Sequence, residues 1–221
     1  MKIEAIAFDI DGTLTSADRR LDCRAIERIQ QLDIPVIIAT GNVFCFANAA
    51  ANLIGTTGII IAENGGIVTP GFGAETIIGG DRAECYRAYD ALIDAGFEIQ
   101  ILDPVLRKTE LALLRNFDAS EAASYVSDFD VEIVDTEFAI HIKSNKVNKG
   151  TGLLIVSEKL GIGLDRIAAV GDSSNDIPMI KVAGFGGAVG NSHPDLAAAA
   201  DYVAKASYGG GVVEILDFLG L

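Results

Sequence analysis

The sequence predicts an α/β protein: a doubly wound parallel sheet, with a small α+β domain inserted into it. Three observations predict this. Short runs that are apolar on both faces alternate with segments of helical spacing, as in strands covered by helices on both sides. The middle of the chain changes to runs that alternate apolar with polar residues, the pattern of a sheet with one face on helices and one in water. Carboxylates, a hydroxyl and a lysine come after such runs, at the strand ends where open parallel sheets hold ligands.

Residues 3–8 read as the first strand. Ala25, Ile26, Ile29 and Leu32 fall at helical spacing within 22–32. Pro35 opens a second buried run, PVIIAT. Residues 42–53, rich in Ala and Phe, read as a helix, and 58–62 as a third strand. In the middle, 83–95 reads as a helix and FEIQIL as a strand, and VEIV and FAIHIK flank Asp135 and Thr136 as two more. The first pattern then returns. Residues 150–160, 176–182, 194–200 and 212–219 read as helices, and 167–170, 186–189 and 202–204 as strands. The change of pattern divides the chain into a core, 1–80 with 147–221, and an insert, 81–146. Gly79-Gly80 and Ser144-Asn145 are the expected hinges.

A chain of 221 residues, half of them hydrophobic, suffices for one large domain, or one domain with a smaller insertion. The formal net charge is −14, and half of it lies within 81–148, so the acidity is spread out. Nucleic acid is not the expected partner, since it wants the opposite balance. A phosphate-bearing substrate would need a metal ion and a local lysine to overcome that field. No apolar run approaches the length that spans a bilayer, and MKIEAIAF has no signal-peptide layout. A cytoplasmic monomer or homodimer is expected. Cys23, Cys45 and Cys85 form no CxxC pair and match no metal-ligand spacing; they read as reduced structural thiols.

Four rows carry chemistry. In IAFDIDGTL, Asp9 and Asp11 leave the first strand two residues apart, on one side of it, and Gly12 allows a sharp turn. One carboxylate can attack while the other moves a proton, and both can help hold a hard cation. In IIATGN, Thr40 and Gly41 offer a hydroxyl and backbone N–H groups to phosphate oxygens. In NKGTGL, Lys149 is a compact cation at a helix start. In AAVGDSSNDIPMI, Asp172 follows a strand, and Asn175 and Asp176 open a helix; oxygen ligands of this kind suit Mg²⁺.

These rows, in this order, resemble the four motifs of the haloacid dehalogenase-like phosphatases. The chain is most similar to the Cof-type branch, with its cap between the second and third motifs, and the resemblance covers the whole chain. IAENGG and ASYGGGVVEIL also look like this branch. The small cap is most similar to that of the archaeal phosphoglycolate phosphatases. The resemblance implies that Asp9 is the nucleophile and Asp11 the general acid and then the base. It implies Mg²⁺ held by Asp9, the Asp11 backbone carbonyl and Asp172, with Asp176 at or next to the ion. Thr40, Gly41, Lys149 and Asn175 would hold the phosphate of a small phosphorylated metabolite, with 2-phosphoglycolate first. The alternatives are a sugar-phosphate phosphatase of the same family and a phosphotransferase or phosphomutase. A receiver-like switch also combines Asp, Thr and Lys on a doubly wound sheet, but the inserted cap and Asp11 argue against it.

Other residues read more plainly. Phe138, Ile140 and Ile142 share a strand face, which leaves His141 with Lys143 on the other, as a solvated sheet residue. Arg107, Lys108 and Arg115 read as surface charge, although a substrate carboxylate would suit them. His193 reads as part of a helix start, and Phe44 and Phe46 as packing.

Overall fold

The fold is described from a computed structural model, for residues 2–136 and 139–221. In chain order the first half holds β1 (Ala5–Phe8), α1 (Cys23–Gln30), β2 (Val36–Ala39), α2 (Phe44–Ile54), β3 (Ile59–Ala62), β4 (Ile67–Pro70) and β5 (Ile77–Ile78). The middle holds α3 (Arg82–Asp94), β6 (Ile101–Leu102), β7 (Glu110–Leu113), α4 (Ala119–Tyr125), β8 (Val131–Asp135) and β9 (Ile140–Ser144). The last part holds α5 (Lys149–Leu160), β10 (Ile167–Gly171), α6 (Ile177–Val182), β11 (Phe185–Ala188), α7 (Pro194–Ala199), β12 (Tyr202–Val203) and α8 (Tyr208–Leu219).

Eight strands form one sheet in the order β12-β11-β10-β1-β2-β3-β4-β5. From β12 to β3 all neighbours pair in parallel. Alternate residues of β1 feed opposite cores, as the strand pleat requires. Ile6 and Phe8 pack with α1, α2 and α8, while Ala5 and Ala7 pack with α5, α6 and α7. Chain order reverses at β1, which has β10 on one side and β2 on the other. That reversal opens a crevice beyond the carboxyl ends of these strands. Among the described residues, no helix is long and apolar enough to cross a membrane.

The insert is a four-stranded antiparallel sheet, β6-β7-β9-β8. One face, with Leu111, Leu113, Ile140 and Ile142, packs on Cys85, Ala88 and Leu92 of α3 and Ala122 of α4. The alternation predicts that the other face meets water. It does not: every residue of β7 and β9 is buried, because this polar face lies over the crevice of the large sheet. His141 is therefore 3% exposed, not solvated. Phe138 lies outside the described residues.

Several elements differ from the sequence reading. The strand expected over 97–102 is only Ile101–Leu102. Phe97 instead anchors the insert's core, edge-on to Phe117 and Tyr125, and Asn116 Nδ2 takes the Glu98 carbonyl that a ladder amide would have taken. The antiparallel β4 and β5, the buried β7 and the short α4 have no counterpart in the reading. α8 begins at Tyr208, ahead of the expected start at 212, and takes in three glycines. They are helical because the helix packs too closely for side chains: a Cβ on Gly209 would stand 2.2 Å from Asp22 Cβ, and one on Gly211 2.4 Å from Ala206 O. Phe44 packs on the core as expected, but Phe46 is exposed. Cys85 is buried, whereas Cys23 and Cys45 are exposed. His193 caps α7, its Nδ1 accepting from Asp195 N.

Candidate active site

β1 delivers Asp9 to the crevice. The strand is locked between its neighbours, with Phe8 beside Val170 and Ile38, and Asp9 N donates to Val170 O at 3.0 Å. The chain then turns through Gly12 at φ +85°, where a Cβ would lie 2.1 Å from Asp172 Oδ2. Only glycine permits both that backbone and that approach. The turn brings Asp11 back to the same cavity as Asp9. Asp11 Oδ2 accepts from Asn42 Nδ2 at 2.5 Å, and Arg19 lies 3.4 Å from Oδ1.

Lys149 is the first residue of α5, behind an Asn148 N-cap with a reciprocal Thr151 bond. It is 1% exposed, and its Nζ donates to Asp9 Oδ1 and Asp176 Oδ1, both at 2.6 Å. Asp176 Oδ2 accepts from the backbone N–H groups of Asp172 and Ser173, so this carboxylate also shapes the loop after β10. Oxygens of Asp9, Asp172 and Asp176 lie within 4.8 Å of one another.

Charge in this cluster is unbalanced. Burial raises the Asp9 carboxyl well above its ordinary value of 3.8, and Asp176 and Asp172 push it the same way against the pull of Lys149. Burial pulls the Lys149 ammonium down, but Asp176 and Asp9 overcome this and hold it above its ordinary 10.5. The lysine stays charged, and three carboxyl groups gather around that one cation. An all-oxygen, negatively charged, mostly buried donor set of this kind fits a hard divalent cation, and Asp9, Asp172 and Asp176 are the side chains that would hold it.

A cavity of about 80 Å³ opens over Asp9 and Asp11. Thr40, Gly41, Asn42, Ser173 and Asn175 line it from the large sheet, and Arg107, Thr136, Ala139 and His141 from the insert. Every residue that the sequence nominated is thus in or next to one site. Lys149 is not among the lining residues; it meets the site through Asp9. Thr40 Oγ1 accepts from Asn42 N at 3.0 Å.

The sequence reading missed the other wall. Arg107 is 7% exposed, not surface charge; its Nη1 donates to Gly41 O at 3.0 Å and to Glu110 Oε1. Glu110 also contacts His141 Nδ1 at 2.9 Å and accepts from Asn64 Nδ2 at 3.0 Å. Asn64 Oδ1 in turn accepts from Asn175 Nδ2 at 3.0 Å. Burial would raise the Glu110 carboxyl, but His141, Arg107 and Asn64 hold it below its ordinary 4.5. Glu63, just before Asn64, takes the backbone amides of Lys108 and Thr109 and the Thr109 hydroxyl. The IAENGG row therefore fastens the insert over the crevice. Lys108 and Arg115 are exposed as expected, Arg115 in an ion pair with Asp135.

Residues 6–102 and 112–216 match the model of the haloacid dehalogenase-like hydrolases. The chain belongs to that family. A phosphoglycolate phosphatase of Archaeoglobus fulgidus is 47% identical over 220 residues, covering 100% of this chain and 98% of that one. One from Methanococcoides burtonii is 46% identical over 220 residues, covering 99% and 97%. Among solved structures, Thermoplasma acidophilum 0175 superposes with a TM-score of 0.90 at 22% identity, over 100% of this chain and 99% of that one. The fold described above, insert included, is shared with that solved structure.

Proposed function

We propose that this hydrolase is a Mg²⁺-dependent phosphatase that converts 2-phosphoglycolate to glycolate and phosphate through an aspartyl-phosphate on Asp9. The observation that carries this reading is the cavity. It places the Asp9 and Asp11 carboxylates together beneath the insert, with Thr40, Gly41 and Asn175 around them. That arrangement suits attack on a small phosphate ester. The activity named for the relatives supports the same choice.

Lys149 fixes the rotation of the Asp9 carboxylate through Oδ1. Asp9 attacks phosphorus, and the phosphorus–ester oxygen bond breaks as Asp11 gives its proton to the departing glycolate oxygen. Asp11 then takes a proton from the water that attacks phosphorus, which frees Asp9 and releases phosphate. Thr40, Gly41 and Asn175 hold the phosphoryl oxygens. Asp9, the Asp11 carbonyl and Asp172 would hold Mg²⁺, with Asp176 at or next to it, and the ion would supply the positive charge that lets a carboxylate meet an anion. The cap, 81–146, excludes bulk water and reads the organic part of the ester.

Small phosphate esters assayed with Mg²⁺ and with excess EDTA test this reading. The highest kcat/KM should fall on 2-phosphoglycolate, with activity lost in EDTA and restored by Mg²⁺. Full activity in EDTA, a specific need for Zn²⁺, or a sugar phosphate as the best substrate would contradict it. Labelled water separates hydrolysis from transfer to another alcohol.

A further inference from the structure

Resting on that reading, we infer that Arg107 is the specificity residue: its side-on edge, Nε with Nη2, binds the carboxylate of the substrate. Both hydrogen bonds that Arg107 makes come from Nη1, to Glu110 and to Gly41 O. Its Nε is buried and has no partner among the described residues, though Arg107 lines the cavity. A buried guanidinium donor left unmade is costly unless a ligand fills it. The edge opposite the anchored Nη1 is the one that grips a carboxylate with two parallel bonds.

The surroundings select an anion there. Glu110 is fully buried and would repel a carboxylate if its charge were unspent. It is spent on three partners: Arg107, His141 and Asn64. These bonds also fix the guanidinium in place, so little side-chain entropy is lost when substrate binds. Position agrees as well. Arg107 is bonded to the residue directly after Thr40, so the phosphate end and the arginine are neighbours in one small cavity. In 2-phosphoglycolate the carboxylate carbon is three bonds from phosphorus, a spacing that suits two such neighbours.

The experiment compares kcat/KM for 2-phosphoglycolate and for ethyl phosphate, which has the same chain length but no carboxylate. In the wild type this ratio should strongly favour phosphoglycolate. In Arg107→Met the ratio should fall by about 30- to 100-fold, the scale of a charge-assisted bond pair. Arg107→Lys keeps the charge beside Glu110 but lacks the fork, and its ratio should still fall, by about tenfold. The double variant Arg107→Met/Glu110→Gln removes both charges. If Arg107 only neutralises Glu110, the double variant should regain the wild-type ratio; if Arg107 reads the carboxylate, the ratio stays low. A ratio within threefold of wild type in Arg107→Met, or its recovery in the double variant, would overturn the inference. A wild-type enzyme with no preference for phosphoglycolate would instead overturn the reading of function beneath it.

Discussion

Asp9→Asn should abolish turnover and leave the metal-free protein at least as stable as the wild type. The amide is nearly the same size but a far poorer nucleophile, so kcat should fall by more than about a thousandfold, or roughly 4 kcal/mol of barrier. Stability should move the other way. In the wild type one buried lysine faces carboxylates on both sides, and burial with two acidic neighbours works against charge on Asp9. Removing that charge relieves the cluster while Lys149 keeps Asp176. Melting in EDTA and kcat for phosphoglycolate measure the two halves. More than about a tenth of wild-type kcat would remove Asp9 from the nucleophile role. A metal-free protein that melts well below wild type would mean that Asp9 is a structural charge.

Lys149→Met should cost both stability and activity. The lysine is the cation shared by Asp9 and Asp176 in a fully buried place, and removing one partner of a buried ion pair costs about 3–5 kcal/mol. For a chain of this size that is roughly 10 °C in Tm. The folded value of Lys149 is raised, so its contribution is present below the unfolded value of 10.5 and is lost only as pH rises beyond it. The lysine therefore stays charged from pH 6 to 9, and the stability gap between variant and wild type should not close as pH rises through that range. Turnover should drop about a thousandfold as the Asp9 carboxylate loses its orientation and the site its fixed charge. A gap that closes as pH rises from 6 to 9 would contradict the charged lysine.

The large sheet and its chemistry were legible for one reason. A parallel strand buried on both faces is a continuous apolar run, and whatever follows it stands at the carboxyl edge. Asp9, Thr40 and Asp172 each follow such a run, so their convergence comes from topology alone. Lys149 and Asp176 open helices on the same side and come with it. Their contact with each other is a side-chain event that no spacing encodes.

The cap wall was illegible for the converse reason. Alternation in a strand reports that its two faces differ, not what covers the polar one. Glu110, His141 and Lys143 share a face by cross-strand pairing and look like solvent residues until the large sheet is placed beneath them. Arg107 precedes β7 in a stretch with no periodicity. The available signal was in IAENGG: Glu63 and Asn64, at positive φ after a buried strand, are polar residues poised to take partners from another segment. Glycines 209–211 hid the first turn of α8, because glycine is a poor helix former and yet close helix packing demands it here.

The central claim is that phosphate passes through Asp9, and the most direct test is to trap it there. Asp11→Asn with p-nitrophenyl phosphate suits the purpose, since this leaving group needs no proton while hydrolysis of the intermediate still needs the missing base. Rapid quench should show a burst of nitrophenolate approaching one equivalent per chain. Phosphate should remain bound to the peptide containing Asp9 and be released by hydroxylamine, as an acyl phosphate is. Steady release of nitrophenolate and phosphate together, with no label on that peptide, would mean that water attacks the ester directly and that Asp9 is not the nucleophile.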